Sequence, residues 1–548
     1  MTNEETVLLP NNGVKRYNDG NQNTLDNDLF SIEPTDSDLV SQQNTHKNIQ
    51  TKRLLNKRHI SMLSIGGIIG TGFFFGINLT LIHGPIISLL SFIYLSFLSF
   101  IIIQSVGEMS CFTPINGSLI QFQYLYLSNI LGFMNNFIYW ISWCITLSLE
   151  LNLIFEILQF WNLEKVVGIF ENQLVIILIF WIILTLFNLF PVNYYGEIEF
   201  FITLFKVGFI LIWILLSIGL IFKTKIGFKN WNQDLIWGID TIKAIKNPIG
   251  NKILNILSSL VSSCFTFQSI ESIALCSGEI KNIHKTLPKT VKYIITRLII
   301  FYILTLFLLT LMIPCNDSKL IGNNQNNIFT SPFLIGLINL GLPINSVLLS
   351  IFNFIILMSI ISAANSNIYF GSRCLISMVE KGMFWSKFGN TSKAGIPYNA
   401  VLLTSILGLI PSILSIFKSF DFVFKILINL SATSGLIMWL FISISYIRFR
   451  KILHYNKLDY RNLRFNSSLN MIYLSYISII SIIIIILGNG ILNLWNFNWD
   501  SFWSCYLTSI IMLVGWIILS IFWKQPLGFK PLSEVDIWMD QSPFAFKE

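Results

Sequence analysis

Charge is scarce in this sequence. Asp, Glu, Lys and Arg make up 12% of its 548 residues, hydrophobic residues make up 53%, and the mean hydropathy is +0.66. A soluble enzyme of this length needs a far more charged surface, so the composition points to a chain that crosses a membrane many times. Clustered cysteine is missing as well. Cys111, Cys144, Cys264, Cys276, Cys315, Cys374 and Cys505 are scattered without a CxxC spacing, which implies neither a disulfide framework nor a metal site. The start has no charged-then-apolar leader with a small-residue cleavage site, so no signal peptide is expected and the first span itself must direct insertion. The formal net charge is +8, but the positive residues lie in short stretches between apolar runs, where they set topology rather than bind nucleic acid. No set of nucleophile, base and oxyanion donors stands out, so neither an enzyme nor a cofactor is expected.

Residues 1–56 carry many Asn, Asp, Thr and Gln without apolar periodicity and read as a disordered tail. Residues 57–523 form the membrane domain, and 524–548 a second tail. Runs of about 20 apolar residues, enough to cross about 30 Å of hydrocarbon, recur at 60–82, 86–106, 131–161, 173–192, 199–222, 254–277, 293–314, 343–372, 399–418, 422–447, 470–493 and 502–523. That predicts an all-α membrane protein with twelve transmembrane helices. Lys52, Arg53, Lys57 and Arg58 precede the first run, and Lys281, Lys285, Lys289 and Lys292 follow the sixth. Arg373, Lys381, Lys387 and Lys393 follow the eighth; Arg448, Arg450, Lys451, Lys457, Arg461 and Arg464 follow the tenth. All fall on one side if both termini are cytoplasmic. The lysines at 223, 225, 229, 243, 246 and 252 dissent and form a local exception.

Inside the first run, glycines stand at 66, 67, 70, 72 and 76. Each costs a helix interior about 1 kcal/mol relative to alanine, and in lipid every freed backbone group needs another partner. Two readings account for them. A helix broken at mid-membrane would offer N–H groups around Ile69, Gly70, Thr71 and Gly72 to a carboxylate. Alternatively, the glycines let neighbouring helices approach closely.

Ionisable residues within spans are expensive and ask for a function or a partner. Trp143, Thr146 and Glu150 fall at i, i+3 and i+7 on one face of the third span. Glu150 could meet a cationic group, or it could be a structurally paired acid. Glu199 and Lys206 share a face of the fifth span, with Glu197 pointing elsewhere. A lysine buried at mid-membrane can release its proton, which suits a proton-coupling group; the alternative is a lysine snorkelling to the interface. In the sixth span, Gln268, Ser269 and Glu271 within one turn suggest a second break, in the place equivalent to the first in two five-span halves. Asn429, Ser431, Thr433, Ser434 and Gly435 interrupt the tenth span, as cavity-lining or helix-packing residues.

Several strings together carry a resemblance: Ile69-Gly70-Thr71-Gly72, Val106-Gly107-Glu108-Met109, Tyr139-Trp140-Ile141-Ser142-Trp143 running on to Glu150, Phe190-Pro191-Val192 with Tyr195-Gly196-Glu197, Phe265-Thr266-Phe267-Gln268, and Ile361-Ser362-Ala363-Ala364-Asn365-Ser366-Asn367-Ile368-Tyr369. In one register from Lys57 to Trp523, the chain resembles the fungal amino-acid permeases of the amino acid–polyamine–organocation superfamily, and among them the arginine and lysine permeases. The resemblance implies a LeuT-type fold of two inverted five-helix repeats plus two helices. It implies proton-driven uptake of basic amino acids across the plasma membrane, with an amino acid and a proton as partners and ubiquitin-ligase adaptors acting on the tails. A broader-specificity permease or an amino-acid sensor on the same fold are the alternatives.

By the same resemblance, Ile69, Gly70, Thr71 and Gly72 would hold the substrate carboxylate. Ser142, Trp143, Thr146, Glu150, Asn429 and Ser431 would form the side-chain pocket, with Glu150 facing the cation. Phe265, Phe267, Ser269 and Glu271 would make the gate and the second break, Phe267 closing the site from outside. Lys206 would be the coupling group. The chain departs from the family pattern at Ser269-Ile270-Glu271, where Gly-Thr-Glu is usual, at Asn429-Leu430-Ser431-Ala432 in place of Asn-Ile-Thr-Gly, and at Lys425, where an acid is common.

Overall fold

Long apolar runs can bury their backbone polar groups in lipid only by forming helices, and that is what the computed structural model contains. It describes residues 57–535 apart from 67–68, 115–116, 162–171, 232–235, 239–247, 276, 281–282, 322–330, 344–346, 418–419, 468 and 492–498. All of these belong to one unit, His46–Glu548. Among the described residues there is no β-strand, and ten helices are long and apolar enough to cross a membrane. Two further apolar helices, Gly72–Leu81 and Gln173–Asn188, are shorter. The first is short because its span is interrupted before Thr71. The second stops shortly before Pro191, which cannot continue a helix.

In chain order the helices are α1 (Lys57–Gly66), α2 (Gly72–Leu81), α3 (Pro85–Phe112), α4 (Ser118–Tyr126), α5 (Asn129–Leu158), α6 (Gln173–Asn188), α7 (Val192–Thr224) and α8 (Pro248–Phe267). They continue as α9 (Ile283–Arg297), α10 (Thr305–Met312), α11 (Pro332–Asn339), α12 (Val347–Glu380), α13 (Tyr398–Ile416), α14 (Phe420–Tyr455), α15 (Met471–Gly488) and α16 (Trp499–Phe522). Local signals set several ends: Ser128 caps α5 by accepting the Leu131 N–H at 3.2 Å, Asn172 caps α6, and Pro85 opens α3 at a position with no N–H to lose.

The core forms where α5 crosses α12 and α14, and where α3 packs on α8. On the α2 side, Phe73, Phe74, Phe209, Phe333 and Tyr302 interlock with ring centroids 5.1–6.4 Å apart. By contrast α7 leaves Phe201, Phe205, Ile212 and Leu215 exposed, and α16 leaves Leu513, Ile517 and Ile521 exposed, surfaces suited to lipid.

After α16 the chain folds back onto the membrane domain. The Lys530 N–H donates to Leu127 O at 2.8 Å, and its Nζ donates to Tyr124 O and Asn129 Oδ1, both at 2.9 Å. The described part of the second tail, as far as Val535, thus includes a docked segment.

Candidate functional site

The first break starts the site. α1 ends at Gly66, Thr71 already has helical dihedrals, and the Gly70 carbonyl accepts the N–H groups of Phe73 and Phe74, both at 3.1 Å. A new helix thus begins at Gly70, and its leading N–H groups have no preceding turn to bond to. The second break follows α8. Ser269 takes left-handed dihedrals, φ 78° and ψ −1°, before a 3₁₀ turn at Ile270–Ala274. The two breaks are packed together: the Thr266 hydroxyl donates to Gly72 O at 2.9 Å, and a Cβ on Gly72 would lie 2.7 Å from Phe265 O. Both sequence readings of the glycines therefore hold, since the helix is broken and its backbone is closely approached.

Between the breaks lies a cavity of about 30 Å³, room for about two waters. Gly70, Thr71 and Gly72 line it from the first break, and Phe265, Thr266, Gln268 and Ser269 from the second. Trp143, Thr146 and Glu150 face it from α5, and Ala363, Ser366, Asn367 and Phe370 from α12. Glu150 is buried and accepts a hydrogen bond from the Thr71 hydroxyl, so a side chain of the first break touches the carboxylate directly.

Beside it runs a polar cluster. The Gln268 amide donates to Ser142 Oγ at 2.9 Å and accepts from Ser431 Oγ at 2.7 Å, and Thr146 Oγ1 lies 2.8 Å from Ser431 Oγ. Glu271 does not line the cavity. It accepts from Tyr139 OH at 2.7 Å and Trp439 Nε1 at 2.9 Å, which ties the second break to α5 and α14. Lys206 is buried behind the first break, donating to Gly66 O at 3.2 Å and Ser362 Oγ at 3.0 Å. Glu197 does point elsewhere, pairing with Arg58 and His59.

Phe267 and Asn429, like Glu271 and Lys206, do not line this cavity. Phe267 packs against Phe92 and Tyr302, with centroids 5.2 and 4.9 Å away, while Phe265 lines the cavity. Asn429 donates to Ser504 Oγ at 2.9 Å and lines a second cavity of about 290 Å³ with Ser258, Ser262 and Asn489. Ile69 is buried at the break, and the side chain of Lys425 lies outside the described residues.

The family profile described as amino acid permease matches residues 59–531. The chain belongs to the amino acid permease family. It is 33% identical over 528 residues to the lysine-specific permease of Saccharomyces cerevisiae, covering 95% of this chain and 84% of that protein. It is 36% identical over 519 residues to the lysine/arginine permease of Candida albicans, covering 92% and 87%. A lysine-specific permease of Lactococcus lactis is 31% identical over 441 residues, covering 79% and 82%. This permease is accordingly a multi-pass membrane protein and a transporter rather than an enzyme.

Sequence reasoning misses the α12 wall of the permease's cavity. Ala363, Ser366, Asn367 and Phe370 follow i, i+3, i+4 and i+7, the same one-face spacing that singles out Trp143, Thr146 and Glu150. It also misses the Thr71 hydroxyl, because the glycines around it direct attention to the backbone alone.

Proposed function

We propose that this permease imports basic amino acids, lysine and arginine, together with protons across the plasma membrane. In this reading twelve spans follow the LeuT-type arrangement, with α1–α2 and α8 with its 3₁₀ turn as the broken helices and both termini in the cytoplasm. The observation that carries the substrate class is Glu150, a buried carboxylate at the cavity wall, hydrogen-bonded to Thr71 beside the helix start at Gly70. A cationic side chain that leaves water for such a site needs a desolvated counter-charge and hydrogen bonds, and Glu150 offers the charge. The names of the relatives, lysine and lysine/arginine permeases, agree with this choice.

The roles follow from chemistry. The substrate carboxylate meets the N–H groups at the start of α2, where helix-end donors favour an anion. The side chain extends toward Glu150 and the hydroxyls of Ser142, Thr146 and Ser431. Phe265 and Thr266 move with the second break to admit it. Lys206 carries the coupled proton, because its two acceptors, Gly66 O and Ser362 Oγ, join the broken helix to α12. Radiolabelled lysine and arginine uptake into cells lacking their own permeases tests the reading. Concentrative, mutually competitive uptake that rises as external pH falls is expected; binding without accumulation would instead favour a sensor.

A further inference from the structure

Glu199 has no part in the roles given so far, yet it is a carboxylate buried within a span, 2% exposed. Its surroundings are specific. Ser362 Oγ lies 2.6 Å from one Glu199 oxygen and 2.8 Å from the other, and it accepts a hydrogen bond from Lys206 Nζ at 3.0 Å. Lys206 Nζ and the nearer Glu199 oxygen are 3.8 Å apart, too far for a direct hydrogen bond. The Ser362 hydroxyl is therefore the bridge, accepting from the ammonium and donating to the carboxylate. Thr203 Oγ1 also donates to Glu199, at 3.3 Å, and a Cβ on Gly66 would collide with both side chains, so the carboxylate rests against the backbone of the broken first span.

We propose that Glu199 receives the coupled proton from Lys206 through Ser362, so that the proton site is a three-membered relay and not a lone lysine. This rests on the proton-coupled reading of the function. In the step, an N–H bond of the Lys206 ammonium breaks as its proton passes to Ser362 Oγ, and the Ser362 O–H bond breaks as its own proton passes to a Glu199 oxygen. Lysine ends as a neutral amine, Glu199 as a neutral acid, and serine is unchanged. The exchange converts a buried ion pair into a neutral pair, which removes two desolvated charges from a buried site. The Cα atoms of Glu199 and Lys206 are two helical turns apart, about 10 Å along the axis, but their charged groups are 3.8 Å apart, so the transfer is short and ends on the residue nearer the start of α7. In the proposed topology that start of α7 is on the cytoplasmic side.

The other charged groups nearby are accounted for. Arg58 and His59 of α1 engage Glu197, Arg373 of α12 engages Glu279 at 3.2 Å, and α10 carries no titratable side chain. Glu150 of α5 is the remaining carboxylate that acts electrostatically on Lys206.

The test uses the full-length permease in liposomes, with radiolabelled lysine, and compares two modes. Homoexchange at equal pH needs no proton release, whereas uptake driven by an imposed pH gradient does. Ser362→Ala should slow gradient-driven uptake by about a hundredfold, the lower end of what a positioned proton-transfer group contributes, while leaving exchange within about twofold. Ser362→Thr, which keeps the hydroxyl, should restore it. Glu199→Gln should match Ser362→Ala, and Glu199→Asp should retain part of the gradient response. Parallel loss of both modes in Ser362→Ala, or full retention of both, would overturn the relay. A wild-type permease that exchanges lysine yet ignores the pH gradient would overturn proton coupling itself, a result distinct from failure of the relay.

Discussion

Glu150 and Glu271 are both buried carboxylates beside the broken helices, and they are held in opposite ways. Glu271 accepts from two aromatic donors, Tyr139 OH and Trp439 Nε1, on two different helices and does not line the cavity. Glu150 lines the cavity and accepts from a single flexible hydroxyl, that of Thr71. A carboxylate can accept about four hydrogen bonds, so Glu150 keeps capacity for a ligand on the face where one can arrive. Glu271 spends its bonds on holding the second break in place. In the proposed function, burial alone does not mark the substrate-binding acid; the side on which its remaining acceptor capacity lies does.

The sharpest way to break this contrast is Glu271→Gln. The amide keeps one acceptor oxygen but turns an NH₂ toward a buried donor, a loss of about 3 kcal/mol. Uptake of arginine, lysine, citrulline and leucine should fall together, along with the thermal stability of the purified permease. A loss confined to cationic substrates would reverse the assignment of the two acids. Lys206→Met tests the charge behind them: the protein should reach the membrane and bind substrate without accumulating it. Uptake that stayed concentrative and pH-dependent would remove Lys206 from the coupling step.

Glu150→Gln should have a smaller and selective effect. Removing the counter-charge weakens arginine and lysine by more than about 1.4 kcal/mol, a factor of ten in affinity. Citrulline, which matches arginine in shape but is uncharged, should change much less. Competition assays read this directly, and equal losses for arginine and citrulline would return Glu150 to a structural role.

Much of this contrast is legible in the sequence. Glycines at 66, 70 and 72 disclose the first break because a membrane helix tolerates them only for a reason, and the i, i+3, i+7 spacing puts Trp143, Thr146 and Glu150 on the cavity side of α5. What cannot be read is which helix each face will meet. Phe265 and Phe267 are two residues apart and equally aromatic, and only the packing of α8 against α3 sends Phe267 to Phe92 and leaves Phe265 at the cavity. Asn429 shares its helix with Ser431, but the two residues are about 200° apart around the axis, so only one of them can join Gln268. Spacing within a helix is local, whereas the partner of each face is fixed by tertiary packing.

The smallest effect concerns the second break itself. Ser269 holds φ 78°, a conformation that costs a residue with a Cβ about 1–2 kcal/mol. Glycine would relieve that strain but would also loosen the unfolded chain, at a cost of about 0.4–1 kcal/mol. Ser269→Gly should therefore stabilise the purified permease by about 1 kcal/mol or less, read as a small rise in its thermal unfolding temperature. Ser269→Ala keeps the Cβ and the strain, so it should gain nothing. If Ser269→Gly proved less stable than the wild type, the serine hydroxyl would have to contribute more than the strain costs. The second break would then be held by its own side chain as well as by the clamp on Glu271.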